Sequence, residues 1–340
     1  MAGRPTRRPA TLAMTSTLPD IDVLAVSTLG GETMGTTWSV RICASPALDL
    51  HRLHARIQRE LDRIVAQMST WRGDSDISRY NEAAAGYAQA LPAEFSQVLT
   101  CALDIAGQSG GAYDPTIAPL VDAWGFGAHS AGPRIPDEAT LQAAHARVDW
   151  RTLRSHFDPP QLRQPGGLRL DLSAIAKGYG VDRVAACLRD AGVPGALAEV
   201  GGELYGYGIK PDGGRWRVLV ESAPDEAADD THPPRVVILD GKAIATSGDR
   251  WHHFQQDGTR YAHTLDPRSG RPVVHAAAAV SVIADDAMRA DGWATALTVM
   301  GAGEGHAFAQ RHGLAARFLI RSAGGLRESM TPAFERQLAA

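Results

Sequence analysis

Asp171 and Lys177 stand six positions apart in the run Asp171-Leu172-Ser173-Ala174-Ile175-Ala176-Lys177-Gly178-Tyr179-Gly180, among residues too small or apolar for a solvated loop. An ammonium group is a compact point charge for a phosphate, and amides at the start of a helix add hydrogen bonds to the same anion. Further along, Asp291-Gly292-Trp293-Ala294-Thr295 places a carboxylate and a hydroxyl four residues apart. On a helix that spacing puts both on one face, a pair of hard oxygen donors suited to Mg2+, which keeps positions for water and phosphate. The ordinary alternative is an acid favoured by the dipole early in a helix, next to a packed threonine. His263 stands where a strand runs into the turn Asp266-Pro267-Arg268-Ser269-Gly270. A histidine at a strand end beside a carboxylate is a candidate general base near neutral pH, although a hydrogen-bonded structural histidine is the commoner case. His252 and His253 follow Trp251 without metal-ligand spacing and read as structural.

Other segments offer surfaces more than chemistry. Gly111-Ala112-Tyr113-Asp114-Pro115-Thr116 combines an aromatic ring and a carboxylate in a constrained loop, and Trp71 and Trp124 are further flat faces. Such rings can bracket a planar heterocycle, but core packing is their default. Gly201-Gly202-Glu203, with Gly206 and Gly208, lacks the G-x-G-x-x-G spacing of a dinucleotide loop and the lysine of a Walker motif. Tight strand packing accounts for those glycines equally well.

These residues need elements to hold them. Trp38, Val40 and Ile42 predict a strand over Met34–Cys43, and the spacing of Leu53, Ile57, Leu61 and Ile64 predicts a helix over His51–Met68. Ser75 or Asp76 is placed to cap a short turn after the polar loop Ser69–Asp76. Helices are expected over Pro92–Ser109, Asp137–Ala146, Ile175–Ala191 and Met288–Val299, the second-last ended by Gly192. Gly111–Phe126 reads as loop. Strands are expected at Leu168–Leu172, Ala196–Gly206, Arg215–Glu221, Val236–Asp240, Ala243–Ser247 and Ala276–Ile283. The acidic stretch Glu221–Asp230 reads as a solvated surface loop. Strands and helices mix without a regular βαβ beat, which favours an α+β fold over a doubly wound sheet.

With 340 residues, 44% of them hydrophobic, the chain can bury a large core, as one domain or two joined subdomains. A net charge of -4 with no basic face excludes nucleic acid as the main partner. Cys43, Cys101 and Cys187 are odd in number and widely spaced, as expected of small buried residues in a reducing compartment. No run reaches the length of a transmembrane helix. The Arg7-Arg8 pair is followed by Thr11–Asp20, too polar for an export signal, and no early cysteine is available for a lipid anchor. Residues 1–22 are therefore expected to be a tail, and the chain cytoplasmic.

Taken in order, nine segments resemble the ApbE family of FAD:protein FMN transferases over roughly residues 30–310. They are Glu32–Thr36, Ser69-Thr70-Trp71 with Ser75 and Ser78–Asn81, Gly111–Thr116, Trp124–Gly127, Asp171–Asp182, Val200–Glu203, Thr246–Asp249, His263–Gly270 and Asp291–Leu297. The resemblance implies one domain over residues 23–335, an α+β fold of mixed or antiparallel sheets flanked by helices. It implies FAD, as substrate, in a central cleft with Mg2+ beside its pyrophosphate. Met34, Trp71, Ala112, Tyr113, Asp114, Asp171, Lys177 and Leu265 fall at the family's FAD-contact positions. Ala174, through its backbone carbonyl, and Asp291 and Thr295 fall at the metal positions, and His263 at that of the base. The implied reaction is Mg2+-dependent transfer of FMN from FAD to a threonine or serine hydroxyl of an acceptor flavoprotein, releasing AMP. The alternatives are Mg2+-dependent hydrolysis of FAD to FMN and AMP by the same residues, and flavin binding without catalysis, which requires neither metal nor base. Glu203, Glu199 and Ser173 depart from the aspartate, asparagine and glycine more usual at their positions. Many relatives are exported and lipid-anchored, so a periplasmic location is the alternative to a cytoplasmic one.

Overall fold

Trp38, Val40 and Ile42 alternate with less buried neighbours, and in the computed structural model of the chain all three lie in the core. The structure describes residues 24–128, 130–220, 235–248, 253–273, 277–322 and 325–339. Their strand, β2 (Thr36–Ala44), pairs antiparallel with β1 (Ala25–Thr33) across a two-residue turn at Met34-Gly35. Both turn residues have positive φ, 51° and 72°, the geometry whose twist matches a hairpin. The strand expected from Met34 thus starts two residues later, and a methionine occupies a backbone region that costs a side chain energy.

Helix α1 (Leu50–Met68) buries Leu53, Ile57, Leu61 and Ile64 as its spacing predicts, and Ser75 caps α2 (Asp76–Glu82). After β3 (Ala88–Ala90), α3 (Ala93–Gln108) ends where Gly110 and Gly111 turn to positive φ. The expected loop Gly111–Phe126 contains a six-residue helix, α4 (Ala118–Ala123), with a proline in its first turn. Asp137 and Asp149 cap α5 (Glu138–His145) and α6 (Trp150–Ser155), and β4 (Phe157–Asp158) and β5 (Gln161–Arg163) join β3 in a small sheet. Leu168, Leu170 and Leu172 are buried, but the strand expected there forms only a parallel bridge from Arg169 to Ile117. Its alternation reports one-sided burial of an extended segment, not a sheet.

Helix α7 (Ser173–Asp190) leads to β6 (Gly195–Val200) and β7 (Glu203–Tyr207). The single strand expected over Ala196–Gly206 therefore folds back on itself at Gly201-Gly202, whose φ values are 58° and 98°. A separate hairpin, β8 (Trp216–Val220) with β9 (Arg235–Leu239), precedes β10 (Lys242–Gly248). Two small hairpins follow, β11 (His253–Gln256) with β12 (Thr259–Ala262) and β13 (Leu265–Asp266) with β14 (Arg271–Pro272). After β15 (Ala277–Ala284), α8 (Ala287–Arg311) runs beyond its expected end at Val299 through a kink at Gly301, where φ is 74°. The described chain closes with β16 (Ala315–Ser322), β17 (Gly325–Met330) and α9 (Pro332–Glu335).

Among the described residues the main sheet has the order β1-β2-β6-β7-β10-β15-β16-β17, every pair antiparallel. Helices α1, α7 and α8 pack together and against this sheet, and their apolar residues merge with Val40, Ala196 and Val280 into the largest core cluster. The architecture is α+β, as the irregular alternation implies. All three cysteines are buried and unpaired. Among the described residues no helix is long and apolar enough to cross a membrane. The expected tail at residues 1–22, the acidic stretch Glu221–Asp230, and Asp249 and His252 lie outside the described residues.

Candidate functional site

The site is built where α7 meets α8. A Cβ on Gly178 would stand 2.2 Å from the Ala287 carbonyl oxygen and 2.8 Å from Asp291 Cβ, so only glycine lets the helices approach this closely. Its amide donates to Asp291 Oδ2 at 3.0 Å. In a regular helix that amide serves the carbonyl four residues back, that of Ala174. Ala174 has left helical geometry, with φ −90° and ψ 17°, so the orientation of its carbonyl departs from that of a regular helix. Asp171 Oδ1 accepts the Ser173 amide at 2.7 Å and so fixes the entry to α7. The start of α8 is held from α7 as well: Asp182 accepts the Ala287 and Met288 amides at 2.8 and 3.0 Å. Burial pushes the Asp182 carboxyl up to about 7, against the pull of those two amides.

Asp291 is 5% exposed. Burial raises its pKa, opposed by the Lys177 ammonium and the Gly178 amide. Lys177 Nζ donates to Glu203 Oε1 at 2.5 Å. Burial works against the ammonium, but Asp291 and Glu203 outweigh it and keep its pKa above the ordinary value. Glu203 is pushed up to about 8, first by burial and then by the charge of Asp291. Burial and their mutual repulsion make it unfavourable to ionise both carboxylates beside the one ammonium.

These residues fit a hard divalent cation. Asp291 supplies a carboxylate, Thr295 a half-buried hydroxyl one turn on, and Ala174 the carbonyl of a residue that has left helical geometry. Among the described residues no three His, Cys, Asp or Glu side chains cluster as a metal site. The set here has one ionisable member, so its fit rests on oxygen chemistry and on a buried carboxylate whose ionised form a cation would favour.

Beside this corner lies a cleft of about 590 Å3 lined by Met34, Gly35, Met68, Trp71, Ser173, Ala176 and Lys177, within the range of small-molecule sites. The Met34-Gly35 and Gly201-Gly202 turns stand at the same end of the sheet: a Cβ on Gly201 would meet Thr36 Cγ2 at 2.8 Å and Lys177 Cδ at 3.2 Å. Trp71, in the loop between α1 and α2, is 71% exposed at the cleft rim.

The remaining predicted residues occupy two other places. Asp171 donates its amide to the Pro115 carbonyl, which ties the α7 entry to the 112–116 loop. There Ala112, Tyr113 and Asp114 are buried. The Asp114 carboxylate accepts from the Thr116 amide, the Thr116 hydroxyl and the Trp150 amide, and burial raises it to about 6 against those bonds. Tyr113 Oη is buried without a hydrogen-bond partner among the described residues. Burial, then the charges of Asp291 and Asp171, hold its phenol well above the ordinary pKa. The aromatic face expected of this loop is therefore turned inward. Trp124 is also buried and donates to the Gly270 carbonyl at 2.9 Å, so of the three candidate flat surfaces only Trp71 is open. His263 follows β12 with its ring edge-on to Phe126, centroids 6.4 Å apart, and Leu265 is buried with Leu120, Trp124 and Leu141. Their segment is pinned where His145 Nε2 lies 2.9 Å from the Pro267 carbonyl.

Two residues with structural consequences were not singled out as site residues by sequence reasoning, Glu203 and Asp182. For Glu203 the available signal is a carboxylate directly after a Gly-Gly turn and before apolar residues; Asp182, beside Arg183, carries no comparable signal.

A profile described as the ApbE family matches residues 34–318. A FAD:protein FMN transferase of Vibrio cholerae is 35% identical over 315 residues, 90% of this chain and 91% of that protein. Among solved structures, the apo form of the Pseudomonas stutzeri flavinyl transferase ApbE superposes with a TM-score of 0.85 at 37% identity, covering 94% of this chain and 99% of that one. The flavin transferase ApbE from Vibrio cholerae superposes with a TM-score of 0.84 at 33% identity, covering 93% and 100%.

Proposed function

The chain belongs to the ApbE family, and from that premise we propose that it is a FAD:protein FMN transferase. It moves FMN from FAD to a threonine or serine hydroxyl of an acceptor flavoprotein and releases AMP. The observation that carries this reading is the departure of Ala174 from helical geometry beside the buried Asp291, with the Gly178 amide bonded to that carboxylate. Simple flavin binding gives no reason to bury a carboxylate at such a place.

FAD occupies the cleft with Met34 and Trp71 against its rings and Lys177 at its phosphates. Ala112, Tyr113, Asp114, Asp171 and Leu265, which lie outside the cleft lining, are the further proposed contacts of FAD, and for Tyr113, Asp114 and Leu265, whose side chains are buried, these would be backbone contacts. Asp291, Thr295 and the Ala174 carbonyl would hold Mg2+, which when bound would supply charge neutralisation for the pyrophosphate. His263 accepts the proton of the acceptor hydroxyl as that oxygen bonds to the FMN phosphorus. The bridging P–O bond to AMP breaks in the same displacement, and its electrons leave with AMP.

The test is incubation of the protein with FAD, Mg2+ and a candidate acceptor flavoprotein. A fluorescent protein band with AMP in equal amount is expected. AMP and free FMN without a labelled band would make the protein a hydrolase, and unchanged FAD would make it a binding protein. His263→Ala should keep FAD affinity and slow transfer about 10²–10⁴-fold. Lost affinity with normal turnover of bound FAD would remove His263 from the base role.

A further inference from the structure

We infer that Glu203 is a positioning residue of this site, holding the Lys177 ammonium on the cleft wall so that it meets the substrate's phosphates; this rests on the flavin-transferase reading above. Glu203 is the first residue of β7, directly after the Gly201-Gly202 turn, in register with Val200. That turn delivers its carboxylate inward, where the residue is 2% exposed. Oε1 accepts from Lys177 Nζ at 2.5 Å, and Lys177 in turn lines the cleft with Met34 and Trp71.

Three features distinguish this pair from an ordinary ion pair of the fold. First, Glu203 Oε2 is buried with no hydrogen-bond partner among the described residues. Leaving a buried carboxylate oxygen unsatisfied is costly, and native folds keep few such groups without a reason. Second, the lysine stem is confined. A Cβ on Gly201 would crowd Lys177 Cδ at 3.2 Å, so the turn's glycine is the residue that leaves the stem its channel. Third, a buried ion pair contributes little net stability compared with packed apolar side chains. What it does provide is a fixed ammonium: rotamer freedom that a solvated lysine loses on binding a phosphate is already removed here.

The test compares FAD with riboflavin, which carries the ring but no phosphate, in the wild type, Glu203→Gln, Glu203→Asp, Lys177→Met and the Glu203→Gln/Lys177→Met pair. Glu203→Gln keeps an acceptor oxygen but not the charge. It should weaken FAD binding about tenfold, as expected for disturbing a charge-assisted bond, and leave riboflavin unchanged. Adding it to Lys177→Met should change nothing further, because its effect passes through the lysine. Glu203→Asp keeps the charge one methylene further back and should recover part of the loss. An unchanged ratio of FAD to riboflavin affinity, or losses that multiply in the double variant, would overturn the assignment even if melting temperatures fall. If Glu203→Gln does not fold, the same ratio in Glu203→Asp against wild type decides. Failure of the wild type to bind FAD would instead overturn the reading of the site itself.

Discussion

Asp291 uses one carboxylate oxygen on the Gly178 amide, and its charge on Lys177 and Glu203. Asparagine keeps an oxygen for the amide and removes the charge, so Asp291→Asn separates the two functions. Turnover with Mg2+ should fall on the order of 100-fold or more, the scale of losing a few kcal/mol of charge neutralisation. Titration calorimetry with Mg2+ in the presence of FAD should show the lost metal affinity directly; full activity would remove Asp291 from the metal site. Because burial raises its pKa, the ionised carboxylate is a liability to the ligand-free fold. The variant should therefore melt no lower than wild type when both are free of ligand, the usual direction for residues kept for function. At this scale the sequence was partly legible. The four-residue spacing of Asp291 and Thr295 marks them, but Ala174 has a mute side chain, and its carbonyl acquires meaning only from a local break in the helix. Tyr113 and Trp124 show the opposite failure: a ring in a loop looks available until packing turns it inward.

Helices were more legible than strands because their periodicity is long and their ends carry chemistry. Asp49, Ser75 and Asp137 each accept an amide at a helix start, and Gly192 follows the end of α7 at a φ of 75°. Strand β1 escaped because Ala25–Thr33 is a largely solvent-facing edge without an apolar face, and β6 and β7 merged although the Gly201-Gly202 pair between them is a hairpin-turn signal. The Asp182 clamp on α8 belongs to the same scale, since it fixes one helix to another. Its carboxyl lies at about 7 in the fold against an ordinary 3.8, so the folded state binds the proton more tightly between those values. Its contribution to stability is thus complete below about pH 4 and is lost as pH rises through 7. Asp114 at about 6 and Glu203 at about 8 act in the same direction. Denaturant unfolding of the wild type should show stability falling from pH 5 to pH 8. Asp182→Asn keeps one acceptor for two amides and should cost about 1 kcal/mol, as lost caps do, while its pH slope becomes shallower. An unaltered slope would show that Asp182 does not titrate in this range.

No single stretch of chain makes the site. Its proposed parts come from the β1–β2 turn, the loop after α1, the start of α7, the β6–β7 turn and the first turns of α8, with the 112–114 loop and the 263–265 segment beside them. That gathering is what sequence spacing cannot display, and it explains why only the ordered set of motifs, not any one of them, pointed to a flavin nucleotide. It would also make ligand binding a property of the whole molecule, because a ligand held by segments so far apart in the chain opposes their separation on unfolding. FAD with Mg2+ at about 100 times the dissociation constant should stabilise the fold by about 2.7 kcal/mol. For a chain of this size that corresponds to a rise of several degrees in melting temperature. A chelator should remove the part due to the metal and leave the part due to FAD. Asp291→Asn should show the FAD part alone, insensitive to Mg2+ and to chelator alike. If its melting temperature still responds to Mg2+ as the wild type does, the cation is held elsewhere, and the α7–α8 corner loses its role.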